Sequence, residues 1–246
     1  KMELFRAVVE AVGNRVPVIA NVGDNCTADT VYFAQDAAKQ GVDGFMCVVP
    51  YYNKPPQEGM YQHFRTIADA VELPIILYNI PGRCVVNMEA ETTLRLAHDC
   101  DNVVAVKEAS GKMDQVEAIV AGAPDGFVVY SGDDSATLDV MKRGGAGVIS
   151  TIGNVSPARM KEIVDLCAAG DWEAAAAANL QSPYIVNVYD WGQDEGTYYI
   201  VMEFVRGSDL KTAIIERGAI NQRKVAEIGS QVCQALSVAH GLGIIH

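Results

Sequence analysis

No apolar run in the 246-residue sequence approaches the roughly 18 to 20 residues that a membrane-spanning helix needs, which excludes a helical membrane span. The formal charge of −12 comes without a basic patch, which argues against a nucleic-acid surface. Six cysteines (Cys26, Cys47, Cys84, Cys100, Cys167, Cys233) show neither CxxC nor Cys/His spacing. They predict reduced thiols of a cytoplasmic protein, not a disulfide framework or a zinc site. No metal or cofactor motif is present. No secretory leader is read at the start, because residues 1–12, KMELFRAVVEAV, pattern as an amphipathic helix with Phe5, Val8, Val9 and Val12 on one side. Both ends read as cut: the chain begins on a helix and stops at His246 directly after an apolar Ile-Ile.

Half of the residues are hydrophobic and a fifth are charged, the balance of a soluble globular chain. Six short apolar strands are predicted: PVIANV from Pro17, GFMCVVP from Gly44, PIILYNIP from Pro74, NVVAVKEAS from Asn102, FVVYSGDD from Phe127 and GVISTIGN from Gly147. Helical patterns separate them, the rhythm of β/α units with parallel strands. Thr27 is expected to cap one helix, with Val31, Ala34 and Ala38 on its inner face. Ser156 before Pro157 predicts another start, with Met160, Ile163, Val164 and Cys167 as the buried stripe. Polar residues gather where the strands stop: Asn25; Tyr51, Tyr52 and Asn53; Tyr78, Asn79 and Arg83; Lys107 and Glu108; Asp133 and Asp134; Ser150 and Asn154. In a β/α barrel all of these share one face. A doubly wound sheet would usually show a glycine fingerprint after its first strand, and NVGDN is none, which favours the barrel.

Residues 102–111, NVVAVKEASG, organise this pattern. Period-two alternation puts Lys107 on the side of Val103 and Ala105. Among apolar neighbours the ammonium is disfavoured, leaving a neutral amine able to attack a carbonyl and form a Schiff base. The bland alternative is a lysine at a strand end that reaches water and pairs with Glu108. Tyr52 and Tyr78, taken alone, read as amphipathic core aromatics. Arg83, taken alone, reads as a turn residue after Pro81-Gly82. Asp133 and Asp134, leading a helix, read as caps rather than acids.

The motifs PYYNKPPQEGMYQHF from Pro50, ILYNIPGR from Ile76, VKEASG from Val106, SGDD from Ser131 and GVIS from Gly147 resemble, in order and spacing, the Schiff-base lyase family typified by dihydrodipicolinate synthase. The resemblance covers residues 1 to about 178. It implies an eight-stranded barrel, pyruvate and aspartate semialdehyde as substrates, lysine biosynthesis, no cofactor, and a homo-oligomer. By the same resemblance Lys107 would form the imine and Tyr78 would be its acid/base. Tyr52 would extend a proton relay, possibly inserted from a neighbouring subunit. Arg83 would hold the semialdehyde carboxylate, and Gly132 and Ile149 would line the pyruvate pocket. Asn25, Asp29 and Tyr51 would surround an allosteric lysine pocket. The close alternative is a sialic acid or keto-sugar acid aldolase of the same superfamily, against which the PGR context of Arg83 argues. The family's first two strands, with a relay hydroxyl, would lie before Lys1. Only six of eight units are then expected, with the strands from Pro17 and Gly147 as open edges and turnover impaired.

From about residue 179 the sequence resembles a bacterial Ser/Thr protein kinase fragment. Strands are predicted at 185–191 and 197–205 around a turn at 192–196, with a hinge at 202–205. A short helix capped by Ser208 follows, then a long one from about Asn221 with Val225, Ile228, Val232, Leu236 and Ala239 on one face. His246 would open the catalytic loop, but no glycine-rich loop, catalytic aspartate or D-F-G is present, so kinase activity is excluded. The resulting expectation is a truncated barrel over 1–178 and a non-catalytic kinase-derived module over 179–246. A fusion without activity is the third reading. The strand pair is expected to lie against an open edge of the barrel sheet, or edges of two chains to meet.

Overall fold

The structure, a computed structural model, describes residues 1–154, 156–178, 188–194, 197–202, 206–207 and 209–241. The chain divides into two compact units. Lys1–Ser150 with Val164–Asp171 form the first, and Thr151–Ile163 with Trp172–His246 the second.

The first unit alternates helix and strand: α1 (Met2–Val12), β1 (Ile19–Asn21), α2 (Thr27–Ala38), β2 (Gly44–Val48), α3 (Gln57–Ala70), β3 (Ile75–Asn79), the single turn α4 (Pro81–Cys84), α5 (Ala90–Asp99), β4 (Val103–Glu108), α6 (Met113–Gly122), β5 (Val128–Ser131), α7 (Thr137–Lys142) and β6 (Gly147–Val148). The helix α8 (Pro157–Ala168) starts at the expected proline, with Met160, Ile163 and Cys167 buried. All six strands are parallel and ordered β1-β2-β3-β4-β5-β6, so β1 and β6 are the two ends of an incomplete barrel sheet.

Alternation sorts the strand residues into two faces. Ala20, Val22, Phe45, Cys47, Val49, Ile75, Leu77, Val106 and Val129 enter one core cluster with Ala34 and Ala37 of α2, Phe64 and Ile67 of α3, Leu96 of α5 and Ile119 of α6. Burying side chains of this size stabilises by about 1.5–3 kcal/mol each. The opposite face is mixed: Met46, Val48 and Tyr78 are half-buried, Ile19 is exposed, and Ala105 and Lys107 are buried. At the N-terminal end of β4 the pairing with β3 shifts, joining Ile75 to Val103 but Ile76 to Ala105. Val103 therefore enters the helix-side cluster, which corrects its expected place beside Lys107.

Local details also differ from expectation. Thr27 begins α2 rather than capping it, because its Oγ1 is engaged by His63 Nδ1 at 2.8 Å; the buried stripe is Thr30, Ala34 and Ala37. In α1, Phe5 and Val9 pack on the core, while Val8 is exposed.

The second unit contains α9 (Trp172–Ala178), β7 (Val188–Asp194), β8 (Thr197–Met202), α10 (Leu210–Arg217) and α11 (Gln222–Gly241). β7 and β8 are antiparallel and form a two-stranded sheet of their own, not an extension of the barrel sheet as expected. Their ladder pairs Gly192 with Tyr199 and Asp194 with Thr197, so residues 192–194, expected in the turn, belong to the strand; residues 195–196 lie outside the described residues. The cap of α10 is Asp209, whose carboxylate accepts from Thr212 N at 2.8 Å; Ser208 lies outside the described residues. Val225 and Val232 of α11 are about half exposed and Ile228 is half-buried. The side chains of Leu236 and Ala239, residues 203–205 of the predicted hinge and His246 are outside the described residues. Among the described residues no helix is long and apolar enough to cross a membrane.

Candidate active site

Lys107 is the penultimate residue of β4, paired with Tyr78 on β3 and Tyr130 on β5. The pairing puts both phenols on its side of the sheet. Its Nζ lies 4.3 Å from the centroid of the Tyr78 ring, and the residue is 8% exposed. Burial lowers the lysine pKa below its ordinary value, and the negative charge of Asp134 works against that shift. Burial also raises the phenol of Tyr78, with Cys84 adding to the rise and Arg83 opposing it. The site thus combines an amine biased toward neutrality with a phenol biased toward keeping its proton.

Glu108 does not pair with Lys107, because adjacent strand residues face opposite ways. It is 3% exposed on the helix side, where it accepts from Asn79 Nδ2 at 3.0 and 3.2 Å, Gln115 Nε2 at 2.9 Å and Ser110 N at 2.7 Å. Asn79 Nδ2 also reaches Asn87 Oδ1, and Asn79 Oδ1 accepts from Met88 N. The pair Asn79–Glu108 follows directly on the pair Tyr78–Lys107. The network therefore locks, from behind, the register that brings phenol and amine together. Sequence reading missed it; the only signal was a polar residue immediately after each of Tyr78 and Lys107, at strand ends otherwise apolar.

The ends of β4, β5 and β6 are stitched together. Gly132 N donates to Glu108 O at 2.8 Å and Ile149 N to Ser131 O at 3.0 Å. A Cβ on Gly132 would stand 2.6 Å from Ala109 Cβ and 3.2 Å from Lys107 Cγ, so a side chain there would displace Ala109 and press on the lysine stem. Asp133 caps the following 3-10 turn through Ser135 N, as expected, and Asp134 accepts from Ser150 Oγ.

Arg83 sits exposed on α4, close enough to Tyr78 to act on its titration. Tyr52 is 86% exposed with φ of 69°, in the left-handed region, and projects to solvent. Asn25 and Tyr51 form a separate group. Tyr51 Oη reaches Asp24 Oδ2 at 3.4 Å, and Asn53 Nδ2 donates to Asn25 O at 2.7 Å. Asp29 is exposed on the first turn of α2. Among the described residues no group of three or more His, Cys, Asp or Glu side chains is placed to hold a metal ion.

The sequence profile of the dihydrodipicolinate synthetase family matches residues 1–214. The chain belongs to this family. It is 55% identical over 177 residues to 4-hydroxy-tetrahydrodipicolinate synthase of Moorella thermoacetica, an alignment covering 72% of this chain and 60% of that protein. The crystal structure of dihydrodipicolinate synthase from Aquifex aeolicus superposes with a TM-score of 0.71 at 42% identity, over 72% of this chain and 61% of that one. The 4-hydroxy-tetrahydrodipicolinate synthase structure from Methylacidiphilum fumariolicum SolV aligns over 100% of this chain and 82% of its own, with a TM-score of 0.73 and 28% identity. The chain thus spans about 60% of the length of the curated relatives it matches.

These matches overturn the reading of a kinase fragment beyond residue 179. The family profile crosses that boundary, and a single synthase structure aligns along the whole chain. A β-branched strand pair followed by amphipathic helices is a local pattern compatible with many folds, and none of the kinase's chemical groups accompanied it.

Proposed function

We propose that this chain is a pyruvate-dependent Schiff-base lyase of the dihydrodipicolinate synthase type, condensing pyruvate with an aldehyde such as aspartate semialdehyde. The carrying observation is the buried Lys107 with its Nζ over the Tyr78 ring. In this reading the neutral amine of Lys107 attacks the carbonyl carbon of pyruvate. A C–N bond forms, and the carbonyl oxygen leaves as water once it has been protonated. Tyr78, whose phenol burial keeps protonated near neutral pH, supplies and recovers protons at that oxygen. Gly132 and Ile149 line the pyruvate pocket.

Arg83, exposed beside Tyr78, receives the carboxylate of the aldehyde partner through its planar fork. Tyr52, exposed to solvent, serves the relay of a neighbouring subunit in a homo-oligomer. Asn25, Tyr51 and Asp29 form an allosteric site for lysine.

The test follows pyruvate consumption by NMR with aspartate semialdehyde or with sugar aldehydes. Consumption with the semialdehyde that disappears in Lys107→Ala is expected. Consumption that persists in that variant, or that requires a sugar aldehyde, contradicts the proposal.

A further inference from the structure

We infer that Cys84 is a positioning residue for Arg83: its buried thiol, bonded to Val49 O, holds the turn that presents the guanidinium to the carboxylate of the aldehyde partner. The inference rests on the role given to Arg83 above. Arg83 lies midway along the loop that leaves β3 after Asn79 and returns at Met88. Asn79 closes the base of this loop, its Oδ1 accepting from Met88 N at 3.0 Å and its Nδ2 donating to Asn87 Oδ1 at 2.9 Å. Gln57 of α3 holds the returning limb, its Nε2 donating to Asn87 O at 2.8 Å.

The base is therefore fixed, but Arg83 stands at the other end, on the single turn α4. There Ile80 O accepts from both Arg83 N and Cys84 N at 3.0 Å. One helical turn is unstable alone, because its few hydrogen bonds do not offset the cost of nucleation. Among the described residues no side chain pairs with the Arg83 guanidinium. Its location thus follows from the turn.

Cys84 fastens that turn. It is 2% exposed, and its Sγ donates to Val49 O at 3.3 Å. Burial raises the pKa of the thiol, so it keeps the proton that it donates. Val49 is held in turn by β3, its N donating to Tyr78 O at 2.9 Å. The tether therefore ties the Arg83 turn to the strand end that carries Tyr78. The next residue is strained: Val85 has φ of 68°, in the left-handed region that a β-branched side chain avoids. At 67% exposure, its own side chain is not packed into that conformation. Such backbone persists only where its surroundings over-determine it. Here the thiol one residue earlier, the bond from Val85 N to Pro81 O at 2.9 Å and the Asn79 bonds to residues 87 and 88 do so.

Cys84→Ala and Cys84→Ser both remove the sulfur, and only the serine keeps a donor for Val49 O. The experiment measures initial rates of the full chain with pyruvate and aspartate semialdehyde varied in turn, and hydrogen exchange at the Val85 amide. Cys84→Ala should raise the KM for the semialdehyde about three- to tenfold, the range of one hydrogen bond, with kcat and the pyruvate KM within about twofold of the parent. Exchange at Val85 should quicken in the same variant, and Cys84→Ser should return both readouts toward the parent. Arg83→Ala should raise the semialdehyde KM at least as far, and adding Cys84→Ala to it should raise it no further, because the thiol acts through the arginine. A parental semialdehyde KM in Cys84→Ala, a rise without faster exchange at Val85, both KM values rising together, Cys84→Ser matching Cys84→Ala, or a further rise on top of Arg83→Ala overturns the inference. If Arg83→Ala itself leaves the semialdehyde KM unmoved, or the parent chain does not turn over, the lyase reading fails first and the role of Cys84 falls with it.

Discussion

Replacing Glu108 by glutamine tests the buried network behind the site with a change of almost no volume. Glu108 Oε1 accepts from Ser110 N at 2.7 Å and Asn79 Nδ2 at 3.2 Å, while Oε2 accepts from Gln115 Nε2 at 2.9 Å and Asn79 Nδ2 at 3.0 Å. A glutamine can keep its oxygen for Ser110 only by turning its NH₂ toward the amide of Gln115, donor against donor. Gln115 cannot flip freely, because its Nε2 also donates to Met88 O at 3.1 Å and its Oε1 accepts from Asn87 Nδ2 at 2.8 Å. Two hydrogen bonds to a charged acceptor are lost, each contributing about 1.5–3 kcal/mol, with partial relief as Asn79 and Gln115 keep their bonds to Met88. The expected cost is about 3 kcal/mol, read as a lower urea midpoint at an unchanged slope. Hydrogen exchange should show the Ser110 amide still protected and residues 87–89 loosened. A stability within about 0.5 kcal/mol of the parent, the range of an ordinary surface change, would refute the claim that this carboxylate holds the register of Tyr78 and Lys107.

Three further outcomes are expected. His63 is 5% exposed, and burial depresses its pKa from 6.5 to about 4. Its contribution is therefore present above about pH 6.5 and lost as pH falls through about 4, a change of about 3 kcal/mol. His63→Gln should flatten that part of a urea-unfolding series, and an unaltered slope counts against it. Gly132→Ala should cost about 1–3 kcal/mol by overpacking and slow pyruvate capture; an unperturbed rate would show that the lysine stem has room to move. Tyr78→Phe keeps the ring beside Lys107 but removes the hydroxyl, so turnover should fall about 10²- to 10⁴-fold with the fold intact by circular dichroism, whereas equal turnover would remove Tyr78 from proton transfer.

The six strands of the barrel sheet were legible because each is a short apolar run with its own turn signals, and all six form where PVIANV, GFMCVVP and their successors predict. Lys107 was legible for the same reason, as the one cation inside such a run. The Glu108 network was not, since besides the nearby Ser110 it gathers Asn79, Asn87 and Gln115 from other parts of the chain, and nothing local announces their meeting. The register shift that moves Val103 to the helix side arises from pairing with β3, which period-two alternation within one strand cannot foresee. Thr27 looked like a cap because its identity and position suit one; the tertiary contact with His63 took its hydroxyl instead. The second unit was legible as a hairpin and two helices but not in its kinship, because strand and helix patterns fix local structure while ancestry needs chemistry-bearing motifs.

The central claim is that residue 107 presents a neutral, carbonyl-reactive amine. Incubating the full chain with ¹³C-labelled pyruvate, reducing with borohydride and mapping the adduct by peptide mass tests it most directly. One label on the peptide containing Lys107, absent in Lys107→Arg, is the predicted result. A label spread over exposed lysines such as Lys39, or none on Lys107 while the chain remains folded, would contradict it.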